Sequence, residues 1–387
     1  MLIRGGKVLT MEGTVFEPGF VRIAEGKIES LGPLRNAPEA EEGEQVLEVP
    51  DTWIMPGLIE AHCHIGITEE TRGAIDDDCN EASGPVQPYL RGLDAVNPMD
   101  PAFHNAIRAG ITSVMTGPGS ANVVGGQFVF MKTQGRCVDQ MVVKAPAAMK
   151  VAFGENPKTS YEEQKRPPLT RMGTAALLRE ELFRARSYQK KKQAGMLTEE
   201  DFHLEAWLPV LRKEIPIKAH AHRADDILTA IRIAREFDVE LTLDHGTEGH
   251  LIAEEIAASG FPVIVGTDLT SRSKQEIRNL NFKTNRVLWE AGVRIAVTTD
   301  HPIALIEFLP LCAGLAVKYG LPLEEGLSAM TINPARICRV ADRVGSLRVG
   351  KDADLAIFSG NPMEIFTETL YTIIDGNVVY DAKNAEK

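Results

Sequence analysis

Met55-Pro-Gly-Leu-Ile-Glu-Ala-His-Cys-His64 is an apolar run that ends in two histidines, and it has the character of a buried strand. Later segments again place histidine at or near the end of an apolar run: Lys218-Ala-His-Ala-His222, Asp244-His-Gly-Thr-Glu-Gly-His250 and Asp300-His301. Because the strands of a barrel end at one rim, this layout predicts that distant parts of the chain bring imidazoles and a carboxylate together. Such a set of side chains is typical of a catalytic metal site.

Helix-like and strand-like stretches alternate between these segments. A helix predicted over 101–109 precedes a strand over 111–115, and a helix over 224–237 precedes a strand over 239–243. Gly110 follows the first of these helices, as expected for a left-handed C-terminal cap. Strands this apolar, each followed by an amphipathic helix, are covered on both faces and are therefore expected to be parallel. The alternation predicts an α/β fold, namely a (β/α)8 TIM barrel.

The two ends of the chain have a different texture. Residues 1–55 carry short alternating segments with turn glycines, and residues 344–387 repeat that pattern. We predict that these two parts combine into one small β-sandwich, which flanks a hydrolase barrel of residues 56–343. Within the barrel, about sixty mostly charged residues at 156–215 exceed the length of an ordinary loop, and we expect a helical insertion that serves as a lid or an assembly element.

Composition and charge exclude several classes of protein. The formal net charge of −12 argues against a nucleic-acid binder, because phosphate recognition needs a basic surface. No apolar stretch has the length of a membrane span or the form of a secretion signal. The 5 cysteines are scattered and lack CxxC spacing, as expected for reduced thiols. We therefore expect a cytoplasmic homo-oligomer that acts on a small molecule and has neither nucleic-acid nor membrane partners.

On these motifs the chain resembles the amidohydrolase superfamily, close to its imidazolonepropionase-like and prolidase-like metal-dependent hydrolases. The resemblance covers essentially the whole chain. It rests on the segment 55–64, on His220, His245 and Asp300 at later strand ends, and on the tail motif Gly345-Ser-Leu-Arg-Val-Gly-Lys-Asp-Ala-Asp-Leu355.

The histidines suit a divalent metal. His62 and His64 are two residues apart on one strand and share a face, so they can bind one ion together, while His220 and His245 reach in from neighbouring strands. Asp300 completes the ligand set, and the resemblance implies that it is also the catalytic residue that accepts a proton from the water activated by the metal. We expect zinc, one or two ions per chain, with manganese, iron or cobalt as alternatives.

The fourth strand offers two further ligand candidates. Its period of two places Lys150 on the same face as small residues, which favours an inward direction, and inward lysines in binuclear relatives are carboxylated and bridge two ions. Glu155 lies at the strand end and resembles the glutamate used in the deacetylase branch. The pattern favours Lys150, and Glu155 stays as the alternative.

Four other polar residues are candidates for substrate binding. His222 follows the strand-five ligand on the same face, and Arg223 suits a substrate carboxylate because guanidinium binds carboxylates in a bidentate way. His250 and His301 are either substrate contacts or supporting groups at the rim.

These features predict a metal-dependent amidohydrolase that cleaves a C–N bond of an amide, a cyclic amide, an N-acyl amino acid or a dipeptide. One alternative is a mononuclear deaminase of a nitrogen heterocycle. Deaminases that resemble this fold carry a glutamate three residues beyond the strand-five histidine, where this chain has Arg223. The other alternative is a catalytically silent scaffold, although such proteins lose ligands that this chain retains.

Overall fold

The structure is a computed structural model that describes residues 1–70, 77–162 and 164–385. The strands that precede the barrel are β1 (Leu2–Arg4), β2 (Lys7–Leu9), β3 (Val15–Phe16), β4 (Gly19–Ala24), β5 (Lys27–Pro33), β6 (Val46–Glu48) and β7 (Trp53–Pro56). The barrel strands are β8 (Leu58–Cys63), β9 (Ile111–Thr116), β10 (Val124–Lys132), β11 (Val142–Ala152), β12 (Ile217–Ala221), β13 (Leu241–His245), β14 (Val263–Gly266) and β15 (Ile295–Thr298). The strands of the tail are β16 (Leu355–Phe358), β17 (Thr369–Ile374) and β18 (Asn377–Asp381).

The eight barrel strands lie side by side in chain order, from β8 to β15. The first and last strands are joined through side chains. The Thr298 hydroxyl donates to the carbonyl of His62 at 2.7 Å, and the buried carboxylate of Glu60 accepts from the Thr299 amide at 2.8 Å. Small residues, among them Ala61 and Ala296, fill part of the barrel interior. The predicted barrel fold is confirmed.

The expectation that all barrel strands are parallel was wrong for β10. This strand pairs antiparallel with β9 on one side and with β11 on the other. The reason lies in the connections: residues 117–123 between β9 and β10 are too few for a crossover helix, so the chain must turn directly back. The remaining neighbours in the sheet, such as β11 with β12, are parallel.

The helices over residues 101–108 and 224–237 are amphipathic, as the alternation predicted. The helix over residues 224–237 has exactly the predicted bounds, buries Ile227, Ala230 and Ile231, and ends at Asp238 in the left-handed conformation. The α-helices of the described residues are α1 (Pro101–Arg108), α2 (Val138–Met141), α3 (Glu155–Glu162), α4 (Arg171–Gln193), α5 (Phe202–Glu205), α6 (Leu208–Leu211), α7 (Ala224–Phe237), α8 (Ala253–Ser259), α9 (Thr284–Glu290), α10 (Leu309–Lys318), α11 (Leu323–Ser328), α12 (Ile332–Ile337) and α13 (Ala382–Ala385).

The two ends of the chain meet in two sheets. A six-stranded sheet has the order β18-β17-β16-β7-β2-β3 and so mixes strands from both termini, while β5-β4-β1-β6 form a second sheet. Between them lies a buried apolar cluster that includes Ile3, Val21, Leu355 and Ile373. The predicted β-sandwich built from both termini is therefore confirmed.

The segment 156–215 is helical and carries most of α3 together with α4, α5 and α6. Leu178, Leu182 and Ala185 of α4 are buried in the same apolar cluster as residues of α7, outside the barrel strands. Its role as a lid or an assembly element stays a prediction. None of the described helices combines the length and the apolar character needed to cross a membrane.

Candidate active site

A cavity of about 360 Å³ opens at the rim where the parallel barrel strands end. Its lining includes His64, His220, His222, His245 and Asp300. The barrel thus brings together side chains that are more than 200 residues apart in the sequence. This position, beyond the carboxyl ends of the strands, is where barrel enzymes hold their active sites.

His62, His64 and Asp300 form the first ligand cluster. The Asp300 carboxylate oxygen Oδ1 lies 3.3 Å from Nε2 of His62 and 3.4 Å from Nε2 of His64. Nδ1 of His64 donates to the carbonyl of Gly117 at 2.7 Å, which directs Nε2 of this ring toward the aspartate. Asp300 has a positive φ of 52°, so the chain turns at this residue just after β15 ends.

His220, His222 and His245 form the second cluster. The three ring centroids are separated by 4.6, 4.4 and 4.6 Å. Nδ1 of His245 donates to the carbonyl of Gly266 at 2.7 Å, and Nδ1 of His222 is hydrogen-bonded to the Thr247 hydroxyl at 2.8 Å. Both rings therefore direct Nε2 into the cavity, the arrangement expected of metal-binding histidines.

Burial sets the charge state of these groups. It holds the pKa of His62, His220 and His222 well below the usual range, so these imidazoles are neutral and keep a free lone pair. Burial alone raises the pKa of Asp300, but the surrounding imidazoles, His245 first, outweigh it and hold that pKa well below its usual range. His64 differs: burial lowers its pKa, but contacts with Cys79 and Asp300 outweigh burial and raise that pKa to about 10, so a metal ion bound at its Nε2 would displace a proton.

The spacing of the donors also suits a metal. In each cluster the candidate ligand atoms all lie within 4.8 Å of one another. With a Zn–N distance of about 2.0–2.1 Å, neighbouring ligand atoms of a tetrahedral site are about 3.4 Å apart. The separations of 3.3 and 3.4 Å from Asp300 to His62 and His64 match this value. The residues present therefore fit a divalent metal.

Lys150 points into the barrel, as its strand period predicted. Its side chain is buried, and Nζ lies 3.5 Å from Nε2 of His62 and 3.9 Å from Oδ2 of Asp244. Burial lowers the pKa of Lys150 to about 8. A second buried lysine, Lys218, makes the closer ion pair with Asp244, at 2.9 Å.

Glu155 lies just beyond the end of β11, and its side chain contacts the backbone of Glu276. Its carboxylate accepts a hydrogen bond from the Glu276 amide at 3.3 Å, and its own amide donates to the Glu276 carboxylate at 2.9 Å. Glu276 in turn lies 3.7 Å from Nε2 of both His220 and His222. Glu276 is therefore the glutamate that directly faces these histidines.

The remaining candidates lie around this centre. Among the described residues, His222 lines the cavity, whereas Arg223, His250 and His301 are not part of its lining. Arg223 pairs with Asp225 at 2.8 Å, His250 is hydrogen-bonded to Thr284 at 3.0 Å, and His301 is buried and accepts from the Ile306 amide at 3.2 Å. Their roles in substrate binding stay predictions.

Sequence reasoning missed three charged residues of the site. Asp244 is buried with Oδ2 3.2 Å from Nδ1 of His62, and its place next to His245 was the available signal. Glu276 and Lys274 come from the loop after β14, and Lys274 also lines the cavity. No strand period extends into that loop, so the pattern gave no sign of either residue.

Comparisons with known proteins agree with this geometry. A solved amidohydrolase from Thermotoga maritima MSB8 is 41% identical, covers 98% of this chain and 99% of its own, and superposes with a TM-score of 0.94. The imidazolonepropionase of Rhizorhabdus wittichii is 26% identical over 92% of this chain and 92% of its own. The amidohydrolase tasK of Hapsidospora irregularis is 25% identical over 94% of this chain, which spans 40% of that protein's length.

The model of the amidohydrolase family matches residues 53–380, which include the barrel, both histidine clusters and most of the tail. Members of this superfamily are generally metal-dependent, in agreement with the two clusters. The chain belongs to the amidohydrolase family and is a hydrolase acting on carbon–nitrogen bonds.

Proposed function

We propose that this protein is a zinc-dependent amidohydrolase that cleaves the C–N bond of a small cyclic amide, an N-acyl amino acid or a dipeptide. The observation that carries the proposal is the pair of ligand clusters at one cavity, His62, His64 and Asp300 on one side and His220, His222 and His245 on the other. All of them line the cavity except His62, which is buried 3.3 Å from Asp300. Neutral imidazoles and a carboxylate suit zinc, and two clusters suit two ions.

We favour Lys150 over Glu155 as the fourth-strand ligand. Lys150 lies on β11, between β10 and β12, with Nζ 3.5 Å from Nε2 of His62. Its partner on β12 is Lys218, two residues before His220 of the second cluster. Its amine can combine with carbon dioxide and release a proton, which gives a carbamate whose two oxygens suit a bridge between ions. Glu155 is engaged with the amide of Glu276, and this contact supports a structural role.

Asp300 is the residue that moves the proton. When bound, the metal activates a water molecule and polarises the carbonyl of the substrate. The ionised Asp300 carboxylate accepts a proton from the attacking water and returns it to the leaving nitrogen, so that the amine departs neutral. Nε2 of His62 and of His64 lie 3.3 and 3.4 Å from the Asp300 carboxylate, so an ion bound by these two rings would also hold Asp300 in place.

The substrate is small and polar. The cavity volume of about 360 Å³ suits a molecule the size of a dipeptide or a substituted five-membered ring. Lys274 and Asn156 lie on its wall, 2.9 Å apart, and a cation there suits a substrate carboxylate. The similarity to an imidazolonepropionase, whose name refers to a cyclic amide, supports the cyclic amide among these candidates.

The test is a hydrolysis assay of the zinc-loaded protein against three groups of compounds: N-acyl amino acids, dipeptides and cyclic amides such as imidazolones and ureides. We expect hydrolysis within one group, and we expect the Asp300→Asn variant to be inactive on the same compound. Ammonia release from aminated heterocycles, with no turnover of any amide, would instead establish the deaminase alternative.

A further inference from the structure

We propose that His222 and Glu276 are ligands of a second metal ion, together with His220 and His245. This inference rests on the proposed function, since it requires a metal-dependent site. It adds to the three histidines already proposed to bind this ion a glutamate that lies in a loop rather than on a barrel strand.

The first argument is the shape of the histidine cluster. The rings of His220, His222 and His245 form a nearly equilateral triangle, with centroid separations of 4.6, 4.4 and 4.6 Å. A histidine that only contacted the substrate would not need to lie as close to His220 and His245 as these two rings lie to each other. The equal spacing indicates that His222 belongs to the same site as His220 and His245.

The second argument is the orientation of His222. Its Nδ1 is hydrogen-bonded to the Thr247 hydroxyl at 2.8 Å, which leaves Nε2 directed toward Glu276. Metal-binding histidines are commonly fixed through the other ring nitrogen in this way. His245 is fixed in the same manner by the carbonyl of Gly266.

The third argument is the position of Glu276. Its side chain is 1% exposed, and Oε1 lies 3.7 Å from Nε2 of His220 and 3.7 Å from Nε2 of His222. These separations are too long for hydrogen bonds and are close to the value of about 3.4 Å between neighbouring ligand atoms of a tetrahedral zinc site. Oε1 of Glu276 therefore lies, relative to each of these two nitrogens, near the distance between neighbouring ligand atoms of one ion.

Room for this carboxylate is built into the end of β11. Gly154 has a φ of 86°, and a side-chain carbon placed there would lie 2.3 Å from Oε2 of Glu276. Glycine at position 154 therefore leaves the space that the Glu276 carboxylate occupies beside the histidines. The amide of Glu155 then fixes Oε2 at 2.9 Å, and Oε1 faces the histidine cluster.

The competing explanation is that Glu276 only forms an ion pair with Lys274, whose Nζ lies 2.6 Å from Oε1. Lys274 accounts for one side of the carboxylate. It does not account for the two imidazole nitrogens that face the same oxygen, because both lie 3.7 Å away, too far to donate hydrogen bonds to it. A cation between them would stabilise all three groups.

The experiment compares zinc binding by four forms of the full chain: wild type, His222→Gln, Glu276→Gln and the control His250→Gln. His250 is a suitable control because it is also held by a threonine hydroxyl, at 3.0 Å, and lies outside the cavity lining. Zinc per chain is measured by elemental analysis after dialysis, and the affinity of each site by competition with a chromophoric chelator. Circular dichroism checks the fold, and if one variant does not fold, the other one decides.

We expect two classes of zinc site in the wild type and in His250→Gln. In His222→Gln and Glu276→Gln the affinity of one class should fall by roughly 10- to 100-fold while the other stays unchanged. Wild-type affinity at both sites in the folded variants would overturn the inference, and so would a wild-type protein with a single zinc site, which leaves a mononuclear form of the proposed function standing. A wild-type protein that binds no zinc at all would overturn the proposed function as well.

Discussion

Nζ of Lys150 lies 3.5 Å from Nε2 of His62, and neither side chain is exposed to solvent. A buried lysine normally requires a close carboxylate partner. Here the nearby Asp244 makes its closer ion pair with Lys218, at 2.9 Å, while Lys150 is 3.9 Å from the same residue. Lys150 is thus placed beside a histidine of the metal site with its amine available for other chemistry.

The role of Asp300 predicts a large loss of turnover in Asp300→Asn. The amide keeps the size of the side chain but cannot accept a proton, so kcat should fall by about 100- to 10,000-fold. Steady-state assays on the substrate found in the hydrolysis screen measure this change. Glu214→Gln, at an exposed ion pair with Arg212 outside the cavity lining, serves as the control and should retain activity. Near-normal turnover in Asp300→Asn would contradict the assignment.

Removal of the metal should lower thermal stability. An ion that binds the folded chain and not the unfolded one stabilises it by about 2.7 kcal/mol when its concentration is 100 times the Kd. We expect a strong chelator to lower the Tm and added zinc to restore it, as measured by differential scanning fluorimetry. A double variant His62→Ala/His220→Ala should show no response to either treatment. The same chelator response in that variant would place the metal elsewhere.

A buried lysine links the barrel to the β-sandwich. Lys132 of β10 is 3% exposed and forms ion pairs with Asp352 at 3.1 Å, with Asp375 at 3.3 Å and with Asp354. Lys132→Met leaves buried carboxylates without this partner, so the free energy of unfolding should fall by about 3–5 kcal/mol. Urea unfolding measures the change.

The control for that measurement is Lys7→Met, which removes a partly exposed ion pair with Glu17. Its effect on the free energy of unfolding should stay below about 1 kcal/mol. Equal effects of the two substitutions would show that Lys132 does not hold the two parts of the chain together.

Asp268 predicts a pH dependence of stability. Burial raises the pKa of this carboxyl to about 7, whereas an unfolded aspartate has a pKa of about 3.9. Between these values the folded protein retains a proton that the unfolded chain has released. The contribution of Asp268 is therefore complete below about pH 4 and is lost as the pH rises toward about 7.

Asp268→Asn removes this titration. In the wild type, the Asn285 amide donates to the Asp268 carboxylate at 3.3 Å, and the side-chain oxygen of the new asparagine can still accept this hydrogen bond. Relative to wild type, the variant should gain stability at pH 8 and show little gain at pH 4, as measured by urea unfolding across this range. Parallel pH profiles of the two proteins would contradict the account.

Much of the fold follows from periodicity. The helix over 224–237 has the predicted bounds because an apolar face, acidic residues in its first turn and a left-handed end all agree. The direction of β10 could not be predicted in the same way, because an apolar strand looks alike in either direction. Only the short connection at 117–123 reveals it.

The candidate site, like the fold, could be predicted from the sequence only in part. The histidines at the strand ends were predictable, because side chains two residues apart on a strand lie on the same face. Asp244 and His245 are adjacent, so the same rule allows only one of them to face the site. A φ of 73° at His245 breaks the rule, and both side chains reach His62, the carboxylate at 3.2 Å and the ring at a centroid distance of 5.2 Å. Glu276 depends on the path of a long loop, which no local pattern encodes.

The most direct test of the account is the ratio of zinc to protein in chains prepared with bicarbonate, for wild type, Lys150→Ala and Glu155→Ala. The account predicts about two ions per chain in wild type and in Glu155→Ala, and a lower ratio in Lys150→Ala because the bridge between the ions is lost. An unchanged ratio in Lys150→Ala, or a loss of metal confined to Glu155→Ala, would contradict the central claim that Lys150 joins the two histidine clusters into one catalytic metal site.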